Sequence, residues 1–337
     1  MMKKTLQYCL VLLTMLVLIG CNTPAANAPT VTPENAASQP SAEAPTMEIP
    51  TPVAAANTVV LAAPNGAYPQ LEKAVSELAA SAGLIVETRD GLQAGDLSPQ
   101  WKVVVFPSAP ANLTELASAA PQTQFVVASA ADLTASENVS VIRLRPEYQA
   151  FTAGYLGVVL AFDFRTGALL PAEGATAEAF FNGGKFFCGL CNSHYSPIVR
   201  FPVMSQLPAG SAAAQWQQEA TELQKNYLYV MYVSPEAATS ELLSFLVAQG
   251  YTLYGGQTPP EEFRSRWAAT VREDMETPLR ALWPAVNAGQ GGQIAEASVE
   301  ITDVNPDLLS SGRLERVQKM VEDLAKGLIF PFNPPME

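Results

Sequence analysis

The stretch NVSVIRLRPEYQAFTAGYLGVVLAF, residues 138–162, carries the strongest fold signal in this chain of 337 residues. Its beginning, 138–145, is rich in β-branched residues without polar alternation, which predicts a strand buried on both faces of a parallel sheet. The following region, 147–164, is apolar on nearly every side, which predicts a helix inside the core. A buried strand that leads directly into a core helix is a βα unit of an α/β fold.

The same alternation of short apolar runs and amphipathic helices continues on both sides of this stretch. Further strands are predicted at 58–64, 84–88, 102–107, 123–129, 166–174, 227–233, 251–256, 267–274 and 294–302. Repeated βα units with short loops imply right-handed crossovers and a doubly wound α/β fold. Two groups of such units predict two doubly wound parallel-sheet lobes with a cleft between them.

The predicted organisation has four parts. They are a signal segment (1–20), a linker (21–56), a first lobe (57–165 with about 258–288) and a second lobe (166–257 with about 289–337).

The first 20 residues are typical of an export signal. Lys3 and Lys4 precede an uncharged apolar run from Cys9 to Ile19, which is too short for an ordinary membrane-spanning helix. The junction Leu-Ile-Gly-Cys ending at Cys21 resembles a bacterial lipobox, which predicts lipidation of Cys21 and a membrane anchor on the extracytoplasmic face of a bacterial cell membrane. An ordinary secretory signal or an uncleaved anchor is the alternative.

The segment 21–56 contains seven prolines and almost no large apolar residue. Such a composition cannot bury enough surface to offset chain entropy, so we expect a disordered linker between the lipid anchor and the lobes.

The charge of the chain excludes some partners. The formal net charge is −13, and loss of two lysines and no acid with residues 1–20 leaves the mature chain at −15. Nucleic acids and anionic lipid headgroups require clustered Lys and Arg, and the sequence contains no such cluster. We expect no nucleic-acid partner.

Ligands of doubly wound folds bind beyond the carboxyl ends of the strands. In this chain those segments offer small residues, backbone donors and an aromatic ring, which suit a small polar ligand. The candidate ligand-binding residues are Asn65, Tyr68, Phe106, Ser108, Ser129, Ser234, Gln257 and Arg272.

Two segments resemble the basic membrane protein family of substrate-binding lipoproteins, which has the type I periplasmic-binding fold. The first is the opening stretch, with Gly154 and Gly157 in its helix, and the second is the closing region 291–331, which ends in Gly327-x-x-x-Pro331. The resemblance covers most of residues 57–331. It implies a monomeric protein that binds a nucleoside-like solute for an ABC permease.

The chain departs from the family at the expected ligand site. The loop after the first strand contains Asn65 in place of an acidic or amide-rich segment, and Gln257 stands where the family has a ribose-binding acid. Arg272 lies near the position of a family lysine, and the resemblance implies that Tyr68 stacks on a base. The ligand is therefore less well defined than the fold.

Cys188 and Cys191 form the only cysteine pair left after Cys9 is removed and Cys21 is lipidated. In an oxidising compartment, cysteines three residues apart favour a disulfide. A redox-active pair is the alternative, but it requires a cysteine at a helix N-terminus after a strand. With His194 the pair supplies three metal ligands, one fewer than a closed zinc site needs, so no metal site is predicted.

The sequence contains no nucleophile elbow, zinc-protease motif or phosphate-binding loop, and it has one histidine. No catalytic residue and no cofactor are therefore predicted. Three functions remain open: an importer's solute-binding lipoprotein, a sensory binding lipoprotein without a transporter, and a thiol–disulfide protein that uses Cys188 and Cys191.

Overall fold

A computed structural model describes residues 57–332 of the chain. The predicted signal segment, the lipidation site Cys21 and the linker up to residue 56 lie outside the described residues. The described part contains two six-stranded sheets, each with helices packed on both faces. This confirms the predicted two-lobed α/β class.

The first lobe contains a sheet in which all strands are parallel, in the order β11-β5-β4-β3-β1-β2. Its central strands are buried on both faces, as their β-branched runs predict. The strands are β1 (Thr58–Ala62), β2 (Ile85–Arg89), β3 (Trp101–Phe106), β4 (Gln124–Ser129), β5 (Val139–Arg143) and β11 (Ile294–Glu296).

The second lobe contains a sheet of the order β12-β10-β9-β8-β6-β7. Every pair in it is parallel except β10 with β12. The strands are β6 (Thr166–Pro171), β7 (Val203–Leu207), β8 (Val230–Val233), β9 (Thr252–Gly255), β10 (Trp267–Asp274) and β12 (Ser298–Thr302).

Eight α-helices within residues 57–332 cover the two sheets. Their bounds are α1 (Pro69–Ser81), α2 (Leu113–Ala119), α3 (Pro146–Leu160), α4 (Thr176–Cys188), α5 (Ala213–Gln224), α6 (Ser240–Ala248), α7 (Glu276–Asn287) and α8 (Ser311–Ala325). Helices α1 and α7 pack on one face of the first sheet and α2 on the other. Helices α3, α4 and α8 pack on one face of the second sheet, and α5 and α6 on the other.

The chain passes between the lobes three times: between β5 and α3, between β10 and α7, and between β11 and β12. These crossings correct the predicted lobe boundaries. Helix α3 belongs to the second lobe, so the first crossing falls near residue 145 and not at 165. Strand β10 also belongs to the second lobe, because it pairs with β9.

The region 294–302, predicted as one strand, is two strands in different sheets. Strand β11 pairs with β5 of the first lobe, and β12 pairs with β10 of the second. Only Ala297 separates them. Periodicity cannot detect this crossing, because the backbone stays extended through it.

Helices α3 and α4 touch backbone to backbone. A Cβ on Gly154 would lie 1.8 Å from the carbonyl oxygen of Phe180, and one on Gly183 would lie 1.9 Å from that of Phe151. Because α3 is also covered by the sheet and by α8, eleven of its fifteen residues are buried. The all-round apolar sequence of α3 follows from this position.

Three elements differ from the sequence prediction: one needs correction and two are additions. Strand β2 is an exposed edge strand, with Ile85 59% accessible, and not a buried one. Strand β7 and helix α7 were not predicted; α7 contains Pro284, which obscures its helical signal.

A disulfide joins Cys188 and Cys191, as predicted, with 5.2 Å between the two Cα atoms. It lies at the C-terminal end of α4, which runs back from the carboxyl edge of the second sheet to its amino edge. The loop after it is fixed by Asp163, whose carboxylate accepts hydrogen bonds from the backbone N–H groups of His194 and Tyr195. The disulfide therefore lies at the opposite edge of the second sheet from the carboxyl ends of its strands.

None of the helices within residues 57–332 combines the length and the apolar character that a membrane span requires.

The α3–α4 contact predicts a strong effect of adding one methyl group. Gly154→Ala should lower the free energy of unfolding by about 3 kcal/mol, because the rigid Phe180 carbonyl cannot move aside. Gly312→Ala is the control: it lies in α8 and its Cβ meets no atom within 4 Å, so stability should stay equal or rise slightly. Urea unfolding of the two variants measures both values, and equal stabilities would contradict the backbone contact.

Candidate functional site

The carboxyl ends of neighbouring parallel strands form one edge in each lobe. In the first lobe, Asn65, Ser108 and Ser129 follow or end β1, β3 and β4, which are adjacent and parallel. Asn65 and Ser108 are exposed, whereas the Ser129 hydroxyl accepts a hydrogen bond from the Ala131 N–H at 3.0 Å. The structure thus brings these three residues to one edge and leaves two of them free for a ligand.

The two aromatic candidates of the first lobe have different surroundings. Tyr68 is half-buried against the core between α1, α7 and the sheet. Phe106 is only 3% accessible and its ring lies 6.4 Å from the Phe125 ring in the core. Phe106 therefore contributes packing at this edge and has no free face for stacking on a solute.

In the second lobe, Ser234 and Gln257 follow the adjacent strands β8 and β9. Ser234 is buried and its hydroxyl has no hydrogen-bond partner among residues 57–332. The Gln257 amide donates to the Ala238 carbonyl at 3.2 Å. Arg272 lies within β10 and is held by Glu276, at 3.2 Å, and by Glu300. Its guanidinium is thus already paired.

Three carboxylates surround this arginine without forming a free cation site. Asp274, Glu276 and Glu300 have carboxylate oxygens within 4.8 Å of one another. Arg272 bonds two of the three, and the Asp274 carboxylate accepts the Thr277 N–H at 3.0 Å. The group is an ion-pair network next to a lobe crossing.

An open cavity of about 500 Å³ lies at the carboxyl edge of the second sheet. The ends of β6 and β8 and the beginnings of α3 and α4 meet there, because each helix starts where a parallel strand has ended. Its lining residues are Pro146, Glu147, Pro171, Glu173, Gly174, Ala175, Thr176, Ala209, Glu236 and Phe332.

The lining of this cavity is acidic. Three glutamates contribute carboxylates, and no Lys or Arg is among the lining residues. Glu147 lies 3.7 Å from the Arg145 guanidinium, and Glu173 accepts hydrogen bonds from the Ala209 N–H. The carboxylate of Glu236 makes no ion pair within residues 57–332. We call this cavity, defined by its lining residues, the acidic cavity.

The three crossings between the lobes are joined by Arg145. Its backbone N–H donates to the Glu273 carboxylate at the end of β10, and its guanidinium contacts Glu296 at 3.0 Å at the end of β11. Arg143 contacts the same Glu296 at 3.1 Å. One residue of each crossing therefore takes part in a single bonded group, which we call the hinge network.

A second cavity, of about 400 Å³, adjoins the hinge network. Arg145, Tyr148 and Glu296 line one side of it, and the C-terminal part of α8 lines the other. The Arg145 guanidinium lies 5.8 Å from the centre of the Tyr148 ring. Polar groups and an aromatic ring thus lie directly beside the crossings.

Glu273 connects the hinge network to the acidic cavity. Burial raises the pKa of Glu273 to about 7; the Arg145 N–H opposes this shift, and the Glu147 carboxylate adds to it. Burial, with Glu236 and Glu273 nearby, also raises the pKa of Tyr232 at the end of β8. Glu147 therefore influences the ionisation of Glu273, and Glu236 and Glu273 influence that of Tyr232.

Sequence reasoning missed the residues of the acidic cavity and the hinge network. A signal was present: Glu173 lies at the end of a predicted strand, Glu236 follows another, and Glu147 begins the predicted core helix. Each acid alone is an ordinary loop or helix-start residue. Their convergence depends on the strand order β8-β6 and on α3 belonging to the second lobe.

Comparisons with known proteins agree on the architecture. No protein-family model matches the chain. No curated protein sequence matches it either. Solved structures do: an ABC transporter system solute-binding protein from Conexibacter woesei is 17% identical, with 82% of this chain and 98% of that chain covered and a TM-score of 0.63.

Two further structures show the same likeness. A transcriptional activator of the comK gene from Bacillus halodurans is 13% identical, covering 82% of this chain and 100% of its own, with a TM-score of 0.59. The Caulobacter myo-inositol binding protein is 14% identical, and the match covers 79% of this chain and 99% of that chain with a TM-score of 0.52. The protein therefore has the type I periplasmic-binding fold. Membership of the basic membrane protein family stays a prediction.

The raised pKa of Glu273 predicts a pH dependence of stability. The carboxyl ionises near its ordinary value of 4.5 when unfolded and near 7 when folded, so the folded state holds an extra proton in between. Stability contributed by Glu273 is therefore lost as pH rises from about 4.5 to about 7, by at most about 3 kcal/mol.

Glu273→Gln keeps the acceptor for the Arg145 N–H and does not titrate. We expect this variant to match the parent at pH 4 and to exceed its free energy of unfolding at pH 8. Urea unfolding at both pH values measures the difference, with exposed Glu178→Gln as the control. Parallel pH profiles for parent and Glu273→Gln would show that the carboxyl is not perturbed.

Proposed function

We propose that this protein is an extracytoplasmic, lipid-anchored solute-binding protein that presents a small polar solute to an ABC permease. The observation that carries the proposal is the combination of an open cavity at the strand ends, with three glutamates in its lining, and a bonded hinge at the lobe crossings. The shared fold of the solute-binding proteins from Conexibacter woesei and Caulobacter supports it.

The geometry suits hinged closure. Each lobe has its own sheet and core, so it can rotate as a unit while a few backbone torsions change at the crossings. The carboxyl edges contribute exposed Asn65 and Ser108 from the first lobe and the acidic cavity from the second. A solute between these edges would be held by both lobes, so its binding would favour the closed state.

Nucleosides are the finer candidate ligand, and this candidate rests on the family resemblance. The described residues offer limited support for it. Of the two predicted aromatic candidates, Phe106 is in the core, and Tyr68 keeps only part of its ring accessible. Arg272 and Gln257, which replace family residues, already have partners within the protein.

A sensory binding protein without a transporter is the second candidate function. The observation that favours it is the likeness to the Bacillus halodurans transcriptional activator, a regulatory protein with the same fold. The chain's net charge of −13 disfavours direct contact with DNA. In this case the same cavity would bind the solute, and a membrane partner would replace the permease.

Thiol–disulfide activity has less support. Cys188 is the last residue of α4, where the helix dipole disfavours a thiolate, and the redox motif requires the opposite end.

Lipidation of Cys21 gives a direct test of the anchor. We expect the full chain, expressed in a bacterial host, to incorporate labelled fatty acid and to sediment with membranes. Cys21→Ser should lose the label and appear in the soluble fraction, because no other cysteine occupies the lipobox. Cys9→Ser is the matched control and should behave like the parent. A fatty-acid label that persists in Cys21→Ser would overturn the proposed anchor.

Ligand binding should raise the thermal stability of the full chain in detergent. A ligand present at 100 times its Kd stabilises the folded state by about 2.7 kcal/mol, which is a shift of several degrees. A panel of nucleosides, sugars, amino acids and amines provides the test by differential scanning fluorimetry. The solute-binding proposal fails if no panel member shifts the transition.

A further inference from the structure

We infer that the solute bound at the acidic cavity is an organic cation with N–H donors, such as an amine or a guanidinium compound. This inference rests on the proposed solute-binding function and deepens it by naming the chemical class. Three observations carry it: the charge of the cavity, two unpartnered hydroxyl groups beside it, and the effect of closure on unpaired carboxylates.

The charge of the cavity is negative without compensation from its own lining. Glu147, Glu173 and Glu236 contribute three carboxylates, and the nearest cation, Arg145, is shared with Glu296 of the hinge network. The buried Glu273 carboxyl lies close enough to Glu147 for the two groups to influence each other. A site built for an anion or a phosphate would require the opposite sign.

Two hydroxyl groups have no partner within residues 57–332, one in the lining of the cavity and one just after β8. Thr176 lines the cavity at the start of α4, and its Oγ1 atom is buried. Ser234 is 2% accessible, and its Oγ atom is also unpaired. Buried polar atoms are nearly always hydrogen-bonded, so two such atoms beside a cavity indicate a missing partner.

The position of Ser234 directs its side chain toward the same region. Its N–H donates to the Leu169 carbonyl, so the pairing of β8 with β6 continues through this residue. By strand alternation Ser234 lies on the face of Val230 and Tyr232, which is the face covered by α3 and α4. The N-termini of α3 and α4 form the cavity wall.

Closure of the lobes distinguishes a cation from a neutral solute. Glu173 and Glu236 are exposed in this structure, so water solvates their charge. When a solute and the first lobe displace that water, each carboxylate needs an opposite charge or several donors. A cation with N–H groups supplies both, and the net charge of −13 attracts it from a distance.

Isothermal titration calorimetry of the full chain in detergent tests the inference with two sets of probes. The cationic set is putrescine, spermidine, choline and arginine, and the neutral set is adenosine, uridine, ribose and myo-inositol. We expect at least one cation to bind, with an affinity that falls as salt is raised. Glu173→Gln/Glu236→Gln should weaken that binding at least tenfold.

Glu178→Gln/Glu222→Gln is the matched control. It removes the same two charges from exposed positions outside the cavity, so it should leave cation affinity nearly unchanged. If both double variants lost the same amount of cation affinity, the effect would come from net charge alone, and the proposed cation site would be overturned. Binding of a neutral solute but of no cation would overturn the inference and leave the proposed function standing. Binding of no probe at all would overturn the proposed function as well.

Discussion

Arg145 is the residue on which the two-lobed arrangement depends. Its backbone bonds Glu273 and its side chain bonds Glu296, so three segments that are far apart in sequence meet at one point. Because these are the segments that connect the lobes within residues 57–332, their relative position determines the orientation of the two sheets. The lobes themselves are fixed by large apolar cores, whereas the junction is fixed by charge-assisted hydrogen bonds, which break and re-form at lower cost.

This contrast assigns different roles to the two edges of the second sheet. The carboxyl edge has a cavity, carboxylates and the lobe crossings, and it contains Glu273, whose pKa is raised by burial. The amino edge has the disulfide and the loop bonded to Asp163, which is nearly inaccessible. The rigid covalent link therefore lies where no movement is needed, and the adjustable bonds lie where movement would occur.

The sequence predicted the sheets and most of the helices because their signals are local. The β-branched runs and the all-round apolar helix at 147–164 depend on burial, which composition records directly. The lobe boundaries failed because they depend on pairing between distant segments: β10 pairs with β9, and β11 with β5. The location of the ligand site at the strand ends stays a prediction, and a cavity does lie at that edge of the second sheet. Its chemistry was missed, because Glu147, Glu173 and Glu236 converge only when α3 is assigned to the second lobe.

The crossing at Ala297 also determines the order in which the protein can fold. Residues 294–296 supply the outer strand of the first sheet, and the residues that follow supply the last strand and helix of the second. Neither lobe can be completed until nearly the whole chain is available, and such non-local pairing slows folding. The late crossing therefore makes completion of both sheets depend on a few residues near the end of the described region.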